Sequence, residues 1–303
     1  MRNEATGLTD TAFEELRNRG LRAIETGELE EAAESFAAAL RLADEQGDPR
    51  RIDLALCNWA AAVIELGRGD GEVSRLREVL LRNSDLVNCR MAAYDIARYY
   101  ELKKNYKKAL FYARITRDRS ELLGRRDWLA SSHNLIGNTL LAECFVEEAC
   151  VEYEKALELF PPEPSPARGQ ILDNLGYCRI LQQRYQEGYR LLYEGLRLLR
   201  RFGARRREIS VRLDLCFAHL ETGRYQHSRR QGLAALALAE SLGDTGSIKN
   251  ALYLLGEVAN LSDDLDTARG YFARLHREFF PDAGYLPEFL LAVDIRRLVN
   301  LHA

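Results

Sequence analysis

Apolar residues in this chain recur three and four positions apart, the spacing that puts side chains on one stripe of an α-helix. In the C-terminal part, Leu252 and Leu255 mark one such stripe, and Leu265, Ala268, Phe272 and Leu275 mark a second after a short polar break. Helices predicted in this way come in pairs, and the pair recurs. A small residue opens the second helix at Ala32, Ala109, Ala149, Gly188, Ser228 and Ala268, with Glu72 at the matching place of the poorest copy, at intervals of 37 to 40 residues. A fixed period in that range predicts a solenoid of seven helix pairs, each packed on its neighbours, and such a stack presents an extended concave surface.

Two further regularities define the predicted packing. The first helix of each copy carries a small residue in its middle: Gly20, Ala60, Ala97, Gly137, Gly176, Cys216 and Gly256. A mid-helix glycine costs roughly 1 kcal/mol against alanine, so it implies a second helix crossing closely there. The second helix carries bulk four residues after its small one, at Phe36, Tyr153, Leu192 and Phe272, with Ala113 and Gly232 smaller. Large and small positions therefore interdigitate across each pair. Gly47, Gly124, Gly203 and Gly243 are expected to end helices in the left-handed conformation. Pro161, Pro162, Pro164 and Pro166 interrupt the chain between copies four and five, where a domain boundary is the alternative, but the repeat resumes in phase at Ile171, which favours a rigid inter-repeat loop.

After Pro281 the run from Pro287 to Leu301 predicts one more helix, with Pro287 in its first turn. Phe289, Leu290, Val293, Leu298 and Leu301 give it an apolar face that would cap the last pair, wide enough to suit a homodimer contact as well. The predicted organisation is a repeat array over residues 1–280 and a C-terminal capping helix over 281–303.

The pattern resembles the tetratricopeptide repeat family over roughly residues 13–280. The resemblance lies in the small residue at the eighth place, the small residue at the twentieth, the aromatic near the twenty-fourth, and a small residue near the twenty-seventh (Ala39, Ala156, Gly195, Ala235). The period near 40 departs from the 34 of the standard repeat. The terminal proline and the tryptophan at the fourth place are absent, and Gly67-Arg68-Gly69-Asp70-Gly71 replaces the turn of copy two. Longer helices of this kind look like the kinesin light chain, LGN-like and bacterial-regulator branch. The resemblance implies an all-α, right-handed superhelical solenoid.

Composition narrows the function. Lys plus Arg number 43 against 46 Asp plus Glu, a formal net charge of −3, which argues against general affinity for nucleic acid or an anionic membrane. The basic clusters at residues 103–108 and 200–207 fall at turns and helix ends. The first nine residues lack an apolar leader segment, so a cytoplasmic protein is the expectation. Six cysteines without a Cys-x-x-Cys spacing read as buried small hydrophobes. No catalytic motif, metal-ligand spacing or phosphate loop is present, so the chain reads as a non-enzyme with no cofactor and no metal.

The resemblance implies that the second, fifth, sixth, ninth and twelfth places of each first helix point into the groove. Those places hold Asn58 in copy two, Tyr94, Asp95, Arg98 and Glu101 in copy three, and Ser131, Asn134 and Asn138 in copy four. Copy five supplies Asp173, Asn174 and Tyr177, and copy six supplies Asp214 and Phe217. Asparagine inside a helix is unfavourable by several tenths of a kcal/mol, and its amide matches the N–H and C=O of an extended peptide. The aromatic rings offer side-chain pockets, and Arg98 can fork onto a carboxylate. The asparagines serve equally well as bridges between repeats, and Arg98 can instead pair with Asp95 or Glu101. The chaperone-binding carboxylate clamp is not reproduced, since Arg17, Leu21, Tyr94 and Arg98 stand at its places. These features predict a scaffold that binds a partner protein or peptide in the groove. The alternative is a sensory or regulatory module of a bacterial signalling or transcription-regulating protein, responding to a peptide or small ligand.

Overall fold

The computed structural model describes residues 2–296, 299 and 301. Among these the chain is all-α, with fifteen helices and no strand. It divides into two compact units, Met1–Pro161 and Pro162–Ala303, so the division falls at the proline-rich segment.

Unit 1 holds four helix pairs: α1 (Arg2–Thr26) with α2 (Leu29–Gln46), α3 (Pro49–Glu65) with α4 (Glu72–Arg82), α5 (Leu86–Leu102) with α6 (Tyr106–Leu122), and α7 (Arg126–Ala142) with α8 (Val146–Leu159). Unit 2 holds three pairs, α9 (Pro166–Leu181) with α10 (Tyr185–Arg201), α11 (Arg205–Glu221) with α12 (Tyr225–Leu242), and α13 (Thr245–Leu261) with α14 (Leu265–Phe279), followed by α15 (Leu286–Ala292). Helix starts are fixed locally. Asp48 and Ser165 cap α3 and α9, accepting from Arg50 N at 3.0 Å and Arg168 N at 3.2 Å, and a proline follows each as the first helical residue.

The predicted interdigitation is present. A Cβ built at Gly20 would lie 2.5 Å from the Phe36 ring, at Gly137 2.5 Å from Tyr153, and at Gly176 2.9 Å from Leu192. Gly256 stands in the same relation to Phe272. In copies three and six, where the eighth place is larger, the facing place is small: Ala97 shares a buried cluster with Ala113, and a Cβ at Gly232 would come 3.0 Å from Cys216 Sγ. The exceptions in the second helix are thus the other half of the same volume constraint.

The turn inside each pair follows one rule that sequence inspection did not find. The fifteenth place has a left-handed backbone in all seven copies, at Gly27, Gly67, Lys104, Cys144, Gln183, Gly223 and Asp263. The next N–H then reaches back to the carbonyl of the eleventh place, as in Glu28 to Ala23 (2.8 Å), Arg184 to Arg179 (2.8 Å) and Asp264 to Ala259 (3.0 Å). This is the Schellman closure of a helix C-terminus. Copy two obeys it through Gly67, and the extra residues only delay α4, whose first buried side chain is Val73 rather than Glu72. Gly47 and Gly243 close α2 and α12 with φ of 68° and 64°. Cys144 is exposed because it occupies this turn; the other five cysteines are buried as expected.

Within each unit, consecutive first helices touch: α1 with α3, α3 with α5, and α5 with α7 in unit 1, and α9 with α11 and α11 with α13 in unit 2. Second helices pack instead against the first helices on either side, as α2 does against α1 and α3. The odd-numbered helices therefore form the inner row of each unit, the side on which groove residues are expected.

The predicted C-terminal helix is shorter than expected. α15 ends at Ala292, Val293 is extended (φ −125°, ψ 119°), and the chain does not return to helix over Val293–Arg296. Leu290 is buried, whereas Phe289 and Val293 are exposed. Leu298 lies outside the described residues, and Leu301 is half-buried.

Candidate groove on the inner helices

In unit 1 the inner row combines buried polar atoms with ion pairs that tie neighbouring repeats. Asn58 on α3 and Asp95 on α5 both stand at the sixth place of their copies and are buried. Asn58 Nδ2 and Asp95 Oδ2 make no hydrogen bond to the described residues. Burial pushes the Asp95 carboxyl well above the ordinary carboxylate range. Arg98 is held by Glu65 of α3 at 2.8 Å and by Glu101 on its own helix, so one of the two partners anticipated for it is present and a cross-repeat one joins it. These two acids, Glu65 foremost, hold its guanidinium firmly protonated. Tyr94 is half-buried beneath Arg90, whose guanidinium carbon lies 5.0 Å from the Tyr94 ring centre and 5.1 Å from that of Trp128 on α7. Asn138 accepts from the Tyr153 hydroxyl at 3.0 Å. Asn134 is half-buried and engaged by other groups.

In unit 2 the inner row is more deeply buried. Asp173 (2% exposed) on α9 lies beside Ser210 and Asp214 (1% exposed) of α11, across the α9–α11 contact. Burial, then the charge of Asp214, drives the Asp173 carboxyl well above its ordinary value, so the pair retains a proton where isolated carboxyls would be ionised. Asp173 Oδ1 has no hydrogen-bond partner among the described residues. Tyr177 and Phe217 pack with ring centres 5.7 Å apart, and Asn174 is buried and engaged beside them. The sequence-derived set thus falls into two groups. Asn58, Asp95, Asp173, Asn174, Tyr177, Asp214 and Phe217 are buried in the floor, while Tyr94, Arg98, Asn134 and Asn138 are half-buried above it.

Copy seven adds residues that sequence reasoning omitted. Its second, fifth, ninth and twelfth places are Asn250, Tyr253, Glu257 and Asn260 on α13. Glu257 is 2% exposed, and burial raises its carboxyl to about 7 despite the Arg296 guanidinium nearby. Glu257 Oε1 and the Tyr253 hydroxyl make no hydrogen bond to the described residues. Counting the same places one copy further along the sequence would have found all four.

No family model describes the sequence, and no curated protein matches it. Solved structures do match in shape. The chain is similar to a Rap protein complexed with Competence and Sporulation Factor at a TM-score of 0.70 and 13% identity, covering 93% of this chain and 76% of that one. The apo form of RapI matches at a TM-score of 0.64 and 15% identity, covering 88% and 97%. A tetratricopeptide repeat protein from Parabacteroides merdae matches at a TM-score of 0.50 and 17% identity, covering 93% and 98%. At these identities the likeness is one of fold, and that fold is the all-α, tetratricopeptide-repeat-like solenoid.

Proposed function

We propose that this chain is a protein-interaction module that holds a segment of a partner protein or peptide along the inner helices of its repeats. The observation that carries the reading is a set of buried polar atoms on that row without hydrogen-bond partners among the described residues: Asn58 Nδ2, Asp95 Oδ2 and Asp173 Oδ1. Each such group costs about 1–3 kcal/mol when left unsatisfied, so the row carries polar groups that its own fold does not satisfy, and a peptide backbone offers donors and acceptors of the kind they need. The half-buried Tyr94 and Arg98 sit where they would meet side chains of that peptide. No helix among the described residues is long and apolar enough to cross a membrane.

A regulatory variant of the same reading draws support from the likeness to a Rap protein complexed with Competence and Sporulation Factor. In that variant the bound segment is a signal, and the repeats transmit its binding.

The test is selection of peptides from a display library on the full chain, followed by fluorescence anisotropy with one variant for each unit, Asn58→Ala with Asn134→Ala in unit 1 and Asn174→Ala in unit 2. Loss of affinity by tenfold or more in at least one of them, with the helical circular dichroism retained, is expected. Unchanged affinity in both folded variants overturns the groove reading.

A further inference from the structure

We infer that the last repeat is a docking site for a short, arginine-bearing segment of non-helical chain, and that the protein's own C-terminal tail is its resident occupant. The inference rests on the groove reading above and gives one end of that groove a ligand class.

Its basis is where the tail touches. Asn260 Nδ2 donates to the Leu291 carbonyl at 3.3 Å, and Asn250 Nδ2 donates to the Leu301 carbonyl at 3.2 Å. Between them Arg296 approaches Glu257 at 3.9 Å and Glu221, at the end of α11, at 3.2 Å. The tail therefore runs antiparallel to α13, its residue numbers rising as those of the helix fall. The contacted residues Asn250, Glu257 and Asn260 are the second, ninth and twelfth places of copy seven, on one face of the helix. These are the places expected to meet a peptide in every other copy. The chemistry is also the expected kind: asparagine amides grip backbone carbonyls without regard to side chain, and one charged residue supplies the specificity.

The site is built for a cation and is incompletely filled. Arg296 faces two carboxyl groups of the repeats, Glu221 and Glu257, and that of its own neighbour Asp294 at 2.6 Å. Asp294 also accepts from the Arg296 N–H at 3.0 Å, a local turn that aims the guanidinium. Glu257 Oε1 is buried and has no hydrogen-bond donor among the described residues. The Tyr253 hydroxyl, one turn away, also lacks a partner among the described residues. A tail evolved only to cap an apolar helix end needs none of these polar contacts. An incoming peptide with an arginine at the equivalent position makes the same bonds and has to displace the tail to do so.

The probe is a fluorescein-labelled peptide with the tail sequence Val293 to Leu301, titrated by anisotropy with three full-length chains: wild type, Arg296→Glu, and Arg296→Glu with Glu257→Gln. In the Arg296→Glu chain Glu221 and Glu257 repel the new carboxylate of the resident tail, so the peptide is expected to bind at least tenfold tighter than to wild type. Adding Glu257→Gln, an isosteric change unlike a truncation, should return affinity to the wild-type level or below. A peptide carrying alanine for Arg296 should bind the Arg296→Glu chain at least tenfold more weakly than the intact one. Equal binding to wild type and Arg296→Glu, indifference to Glu257→Gln, or no binding to any folded chain overturns the inference. Peptides selected on the chain and sensitive to Asn58 with Asn134, or to Asn174, would still stand in that event, so failure here is distinguishable from failure of the groove reading.

Discussion

Glu257 carries a charge question that its neighbours do not fully answer. Tyr253 lies on its own helix, Arg296 and Asp294 face it from the tail, and Glu221 stands nearby on α11. Burial raises its carboxyl to about 7 from an ordinary 4.5, with Asp294 adding to the rise and Arg296 opposing it. A carboxyl with a raised value in the folded state binds its proton there while the unfolded chain has already lost it. Stability is therefore highest below pH 4.5 for this group, falls as pH rises through the window to about 7, and has lost its full share above it. That share is about 3–4 kcal/mol for a shift of this size. Glu257→Gln should flatten this part of the stability profile, read as the pH dependence of amide exchange in α13 between pH 5 and pH 8. A slope identical in the variant and the wild type would contradict the assignment. Glutamate was readable as groove-facing from its ninth place in the copy, but its raised affinity for a proton was not, because burial by a segment about forty residues later leaves no mark on the local sequence.

Each helix pair is legible in the sequence where volume decides and obscure where backbone geometry does. The alternation of Gly256 with Phe272, or Gly137 with Tyr153, is visible because glycine in mid-helix needs a reason. The left-handed fifteenth place was hidden because only Gly27, Gly67 and Gly223 advertise it, while Lys104, Cys144, Gln183 and Asp263 adopt it without a compositional signal. The C-terminal run misled for a related reason. Its apolar spacing is helical, but Asp294 accepts from the Arg296 N–H and diverts the backbone, and tail carbonyls go to Asn250 and Asn260 rather than to an intrahelical ladder. Gln183 offers the cleanest test of the turn rule, being exposed with φ of 61°. A left-handed backbone costs a residue with a Cβ roughly 1–2 kcal/mol, and glycine gives back about half of the relief through its freer unfolded state. Gln183→Gly should accordingly stabilise the α9–α10 pair by about 0.5–1 kcal/mol, measured as a rise in urea midpoint at constant slope. A fall in the midpoint would mean that the turn is not strained.

For the molecule as a whole, the repeat period made the architecture readable and left the ligand unreadable. Seven coincident copies identify a stack, but the chemistry of the groove depends on which side chains neighbouring copies bring together. The Asp173–Asp214 pair and the Arg98–Glu65 bridge each join residues from different copies. Such pairs have no fixed spacing within a copy, so no scan of one repeat can list them. The same architecture makes a prediction about how damage spreads. Phe272 is fully buried between α13 and α14, and its loss should cost about 3–5 kcal/mol, as for other large aromatic truncations. In a single globular core that loss would weaken every element of the unit. In a stack, energy is shared only between neighbours. Phe272→Ala should therefore raise hydrogen exchange throughout α13 and α14, raise it less in α11 and α12, and leave α9 and α10 near wild type. The matching change in unit 1, Phe36→Ala, should expose α1 to α3 and spare α7 and α8. Mass-resolved exchange of peptides from each helix reads both gradients. Uniform loss of protection across either unit would mean that the helix pairs behave as one cooperative core, and the inner row of that unit would then respond as a rigid body rather than as a series of separately adjustable pairs.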